Sequence, residues 1–245
     1  IDQFGSRWGK KEMTYLKDKY LYPIVLKTDF HKTFKNTYGE KASSNKLIIK
    51  GLTLLDATID AGGTIIPGKS TLILRTTNIE FLMFVSAIIN SKFAIFYIRE
   101  RYSASSYNTG VNFTKDMLNN LPYPSSIPVL FHKIIVLLVK FVLFIDNNDV
   151  VFTKTNKYIL NALVFELYFP DHMKEKEIDI LKFVEQDLKE VLGEDDFEQM
   201  PDEKKETVIE ELHKRWSNPE SEIVKRMNSF AEKSPDILKP ILESK

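Results

Sequence analysis

Apolar positions follow two rhythms along the 245-residue chain. Up to Thr76 they come in short runs broken by glycine and proline; after Pro128 they recur every three or four residues. The first rhythm predicts strands and the second helices. Strands are expected at Lys46–Lys50 (KLIIK), Thr53–Ile59 (TLLDATI), Thr64–Ile66 and Ser70–Thr76 (STLILRT), with Pro23–Lys27 (PIVLK) a further apolar run. Asp60-Ala61-Gly62-Gly63 and Pro67-Gly68 mark turns, because paired glycines supply the positive φ a tight hairpin needs. Thr28–Asn45 is polar, with Gly39 and Ser43-Ser44 as loop markers. Residues 23–77 therefore predict four or five short strands in a small, curved antiparallel sheet.

Asn78 is placed to cap a helix with Glu80 in its first turn, burying Phe81, Leu82, Phe84, Val85, Ile88 and Ile89. Asn90-Ser91 breaks the pattern, and the reading for these two is structural: side chains that cap backbone groups. Apolar residues resume at Phe93–Tyr97, and Arg99 and Arg101 close the helix. Ser103–Gly110 reads as a loop and Thr114–Asn119 as a short helix capped by Thr114. Leu121-Pro122-Tyr123-Pro124 forces extended backbone. Helices follow at Val129–Ile145, Asn156–Phe169, Met173–Leu192, Asp202–Trp216, Pro219–Ala231 and Pro235–Leu242. The fold class is α+β: a small curved antiparallel sheet with helices, then an all-α C-terminal extension. The expected divisions are 1–22 (a linker, reading as a helix leading into a strand), 23–127 and 128–245.

Charge changes this picture. The net charge is zero, yet residues 1–128 hold 17 Lys/Arg against 10 Asp/Glu, and residues 129–245 hold 17 against 24. A basic half suggests a polyanionic partner, and the plain alternative is a solvated surface. The acidic helices of Met173–Lys245 read either as charged outer faces or as a partner surface. The absence of cysteine excludes disulfides, thiolate zinc and a cysteine nucleophile, and fits a reducing, cytoplasmic setting. Ile1 in place of Met suggests a fragment of a longer protein, and no signal peptide is expected. Val129–Ile145 is short for a membrane span, and His132, Lys133 and Lys140 interrupt it, so a protein-buried helix is expected.

At residues 46–124 the chain resembles the C-terminal specificity domain of TaqI-like adenine methyltransferases. That domain also occurs in fused type II restriction-modification enzymes, including the type IIG class. The matching pieces are Lys46-Leu47-Ile48-Ile49-Lys50, Asp60 before Gly62-Gly63, Ile88-Ile89-Asn90-Ser91-Lys92 in the place of the family's LNSK, and Leu121-Pro122-Tyr123-Pro124 in the place of its LPIP. Leu163-Val164-Phe165-Glu166-Leu167-Tyr168 is similar to its VYELYG helix, though Phe169-Pro170 departs from the glycine. The resemblance covers roughly residues 20–170, and type I specificity subunits share a related helix–loop–LPxP layout.

The resemblance implies a target-recognition domain of a bacterial-type enzyme, with double-stranded DNA and the parent's own methyltransferase domain as partners and no membrane. It places no methylation chemistry here. The Gly-rich turn for S-adenosylmethionine and the Asn/Asp-Pro-Pro-Tyr/Phe motif are both lacking, so cofactor and catalysis would belong to a domain preceding Ile1. Magnesium would enter only with an added nuclease domain.

Duplex recognition needs Arg or Lys for phosphates and Arg, Lys, Asn, Gln, Ser or Thr for base edges. The loop Tyr102–Asn112 offers Ser103, Ser105, Ser106, Tyr107, Asn108, Thr109 and Asn112, with Arg99, Arg101 and Lys115 on its flanks. The same residue types also make ordinary exposed turns. Lys46, Lys50, Lys69 and Arg75 flank strands and are further phosphate candidates. His31, His132, His172 and His213 show no metal-ligand spacing. Glu203-Lys204-Lys205 fits a nuclease triplet by letter but lies at an expected helix start. The rival function is a protein-interaction module with an incidental basic surface; an autonomous enzyme has no motif in its favour.

Overall fold

Ahead of the first buried strand, the described residues form a hairpin, within the segment expected as a helix leading into a strand, and then a helix where a polar loop is expected. The structure is a computed structural model and describes residues 12–15, 17–21, 24–53, 55–68, 70–102, 106–107, 110–145 and 150–244. It falls into two compact units: Ile1–Asn90 with Tyr97–Pro122, and Ser91–Phe96 with Tyr123–Lys245.

In the first unit, β1 (Met13–Tyr15) and β2 (Asp18–Tyr20) pair antiparallel across a turn where Lys17 takes a φ of 77°. Ile24–Leu26, from the apolar run Pro23–Lys27, form no strand and are exposed. The polar stretch that follows is helix α1 (Lys27–Ser43), kinked at Phe34. Asp29 in its first turn and Lys41 in its last suit the helix dipole, and no proline interrupts it. Its first two turns bury almost nothing, so no apolar period marks it in the sequence.

Four strands follow: β3 (Lys46–Lys50), β4 (Leu52–Thr53), β5 (Ala57–Asp60) and β6 (Thr71–Arg75). They do not make one sheet. β3 is the centre of an antiparallel sheet of order β5-β3-β6, with Lys46 opposite both Asp60 and Arg75. Leu47, Ile48 and Ile49 are buried, so both faces of β3 are covered. The expected strand Thr53–Ile59 is split, and β4 leaves for a second sheet. Thr64–Ile66 is not a strand; the Thr64 and Ile65 amides donate to the Asp60 carboxylate at 2.9 Å each.

Helix α2 (Ile79–Ile89) starts as expected, with Asn78 Oδ1 accepting from the Phe81 amide at 2.9 Å. It packs on β5 and β3 through a buried set including Leu82, Phe84 and Ile88; Phe81 and Val85 are turned further outward than expected. At its end Asn90 treats β5 as a neighbouring strand would. Its Oδ1 accepts from Ala57 N at 2.8 Å and its Nδ2 donates to Ala57 O at 3.0 Å. Ser91 Oγ accepts from Ala94 N at 3.2 Å, opening α3 (Lys92–Arg101). The second sheet has order β4-β8-β7, from β7 (Ser106–Tyr107) and β8 (Gly110–Asn112). Thr114 then caps α4 (Lys115–Asn119).

The second unit is helical: α5 (Val129–Phe144), α6 (Val150–Tyr168), α7 (Pro170–Glu175), α8 (Leu181–Leu192), α9 (Asp202–Ser217), α10 (Glu222–Asn228), α11 (Phe230–Lys233) and α12 (Leu238–Glu243). Residues 162–167 of α6 are buried, and α5 and α9 pack on that helix. Phe93 lies 4.1 Å from Tyr168 by ring centroids. The expected helix Met173–Leu192 is interrupted, with Glu177 at a φ of 53°. The buried Glu166 carboxylate accepts from the Ile180 and Leu181 amides at 2.6 and 2.9 Å, and so caps α8 from outside its own sequence. Pro219–Ala231 is likewise two helices, α10 and α11. In α5, Lys140 pairs with Glu198 at 2.7 Å. No single described helix is long and apolar enough to cross a membrane.

A candidate nucleic-acid interface

In the stretch expected as a loop after Arg101, the described residues 106–107 and 110–112 form a short β-ribbon. Ser106 pairs with Val111 and Tyr107 with Gly110, while β4 pairs with the other edge of β8 through Leu52–Asn112 and Thr53–Val111. Three local features fasten its base. Phe113 donates its amide to Gly51 O at 2.9 Å and is itself buried. Gly51 donates to Ser70 O at 3.0 Å, so close that a Cβ on residue 51 would lie 2.6 Å from that oxygen. Met117, one turn into α4, is buried.

Of the residues flanking the ribbon in the chain, Arg101, Asn112 and Lys115 are exposed and Arg99 is half-buried, all within the first unit. Among the described residues none of Arg99, Arg101 and Lys115 is held in an ion pair; those of this unit include Lys19–Glu12 at 3.5 Å, Lys46–Asp60 and Lys50–Asp56 at 3.3 Å. The second unit differs: Lys189, Lys204, Lys205, Arg215, Lys225 and Arg226 each face a carboxylate within 4.0 Å. Glu100 and Asp116 lie beside these cations in the chain, but among the described residues neither is in an ion pair with them, so Arg99, Arg101 and Lys115 keep their donors for an anionic partner.

Lys46 is a correction. Its side chain is fully buried, and its ammonium donates to Asp60, to Ala42 O at 3.0 Å and to Ser44 O at 3.2 Å. No donor is left for a phosphate. Burial opposes ionisation of Asp60, but hydrogen bonds from Lys46, Thr64 and Ile65 outweigh it and hold the carboxyl below its usual range. Lys50 is half-buried beside Asp56, next to the Gly51 pivot. Arg75 is exposed but sits opposite Lys46, at the far end of β3 from Gly51. Four residue steps along a strand separate the two ends by about 13 Å. The candidates therefore divide: Lys50, Asn112 and Lys115 adjoin the Gly51–Phe113 link at the ribbon base, Arg99 and Arg101 close α3 ahead of β7 in the chain, and Arg75 lies at the other end of β3. Lys69, Ser103, Ser105, Asn108 and Thr109 lie outside the described residues; Ser106 and Tyr107 are placed by their backbone in β7.

Sequence reasoning passed over Lys27, as the end of an apolar run, and Lys32 and Lys35, as lysines of a polar loop stretch; their spacing on one polar helix was the available signal. No group of three or more His, Asp or Glu among the described residues is placed to hold a metal ion. Glu203-Lys204-Lys205 lies in the first turn of α9, with Lys204 on Asp195 at 2.6 Å and Lys205 on Asp202 at 3.2 Å. No protein-family model, curated protein or solved structure matches the chain.

Proposed function

We propose that the chain is the DNA target-recognition part of an adenine-specific methyltransferase or fused restriction-modification enzyme. The carrying observation is the β7–β8 ribbon, flanked in the chain by Arg99, Arg101 and Lys115, none of which is in an ion pair among the described residues. β7 and β8 are the outer hairpin of the β4-β8-β7 sheet, and strands as well as helices are used to enter the grooves of B-DNA. Asn112 on the ribbon suits a base edge, and Arg99, Arg101 and Lys115 suit phosphates. The part holds no methylation machinery. S-adenosylmethionine would be bound, and the target adenine flipped from the duplex and methylated, by the parent's catalytic domain.

The test is retention of duplex DNA at low salt. Retention should fall steeply between about 50 and 200 mM salt through counterion release. Replacing Arg99, Arg101 and Lys115 together with alanine should weaken it. A triple variant that binds like the unaltered chain would overturn the ribbon assignment.

A second reading, a protein-docking module, draws on Leu21, Ile24, Val25 and Leu26, which are exposed apolar residues close together in the chain. A protein complex insensitive to salt, with no DNA retained at low salt, would favour it.

A further inference from the structure

Helix α1 has a feature that the ribbon does not account for. Between Lys27 and Lys35 it carries three lysines and one acidic residue, Asp29, and all four are exposed. Among the described residues none of Lys27, Lys32 and Lys35 is in an ion pair. Ahead of the kink at Phe34, Lys27, Thr28 and Lys32 share an arc of about 140° on the helix surface. Lys35 follows the kink directly.

Folding stability does not explain this half of the helix. It buries almost nothing, and a lysine at the first helical position opposes the dipole. Yet the far end is firmly fixed. Ala42 is buried, its carbonyl accepts from Lys46 Nζ, and Gly63 packs so closely that an added Cβ would lie 2.3 Å from Ser43 O. α1 is thus a solvated basic arm on a rigid base. That base adjoins the Lys46 end of β3, where Arg75 is also exposed.

We infer that α1 is a second DNA-contacting element, which follows the phosphate backbone through Lys27, Lys32 and Lys35 without reading bases. The inference rests on the DNA-recognition reading. It divides the labour within the first unit: the ribbon at the Gly51 end of β3 reads sequence, and α1 at the Lys46 end supplies sequence-independent attraction.

The experiment is a fluorescence-anisotropy titration of the full chain with labelled mixed-sequence duplexes over a range of salt concentrations. Three proteins are compared: the unaltered chain, Lys27→Gln/Lys32→Gln/Lys35→Gln, and a charge-matched control, Lys174→Gln/Lys214→Gln/Lys239→Gln, at exposed positions of the helical unit. Lys and Gln have similar helix propensity, so both variants should fold. Each lost phosphate contact lowers the slope of log K against log salt by about 0.9, so the α1 variant should lose between two and three. Its affinity should fall by the same factor on unrelated sequences, and the control should keep the unaltered slope. An unchanged slope in the α1 variant, or an equal loss in the control, would overturn the α1 assignment and leave the ribbon reading standing. No binding by the unaltered chain at low salt would overturn both.

Discussion

Replacing Asp60 with asparagine tests the Lys46–Asp60 pair, the most consequential buried contact of the first unit. Both side chains are almost completely removed from solvent, and the pair joins the end of α1, the start of β3 and the turn after β5. Asparagine keeps the size and one acceptor for the Thr64 or Ile65 amide, but leaves a buried ammonium without a counter-charge. Removing one member of such a pair costs about 3–5 kcal/mol, a large part of the 5–15 kcal/mol that holds a typical domain together. Amide hydrogen exchange is the suitable assay, since it reads each unit separately. Peptides covering β3 and β5 should exchange about 100- to 4000-fold faster, at about 1.4 kcal/mol per tenfold, while those from α6 and α9 change little. Adding Lys46→Met should recover part of the loss, because no buried charge then remains; a coupling of about 2–3 kcal/mol is expected. The pH dependence has a definite sign. The Asp60 carboxyl is lowered in the folded state, so its contribution is present above the ordinary carboxylate range and is lost as pH falls through the lowered value. Asp60→Asn should flatten that acid limb. A loss below about 1 kcal/mol for Asp60→Asn, or strict additivity in the double variant, would refute the reasoning.

Gly63 has a φ of 59° and an added Cβ would lie 2.3 Å from Ser43 O, so Gly63→Ala should destabilise the first unit by about 2 kcal/mol or more, read from thermal unfolding. Glu166 is raised by burial, which outweighs the Ile180 and Leu181 amides; this favours folding at low pH and is lost as pH rises through the raised value. Glu166→Gln should remove that dependence at little cost, whereas Glu166→Leu should lose about 1–3 kcal/mol for each orphaned amide, as urea titrations at several pH values would show. Asn90→Leu should cost about 2–4 kcal/mol by stranding both backbone groups of Ala57, measured by exchange in β5. Ile24→Ser/Leu26→Ser should leave the melting temperature unchanged and reduce aggregation and dye binding, since both residues are exposed.

What the sequence determined by itself is local. The helical character of the second half follows from three- and four-residue spacing, though not the breaks that divide Met173–Leu192 and Pro219–Ala231, and Asn78 and Thr114 cap the helices they precede. KLIIK and TLILR are strands, and Asn90-Ser91 ends one helix and opens the next. The charge asymmetry is visible by inspection. These signals lie within a few residues of the structure they specify.

Tertiary structure decided the rest, because the partners are distant. A lysine at a strand end reads as solvated until Asp60, 14 residues on, is placed beside it. A stretch rich in Ser, Asn and Gly reads as a loop until Leu52 and Thr53 supply the strand that makes it a sheet. Helix α1 has no apolar period because its first turns face solvent. Its end is fixed by Lys46 and by the close approach of Gly63, contacts that no local pattern in Lys27–Ser43 encodes.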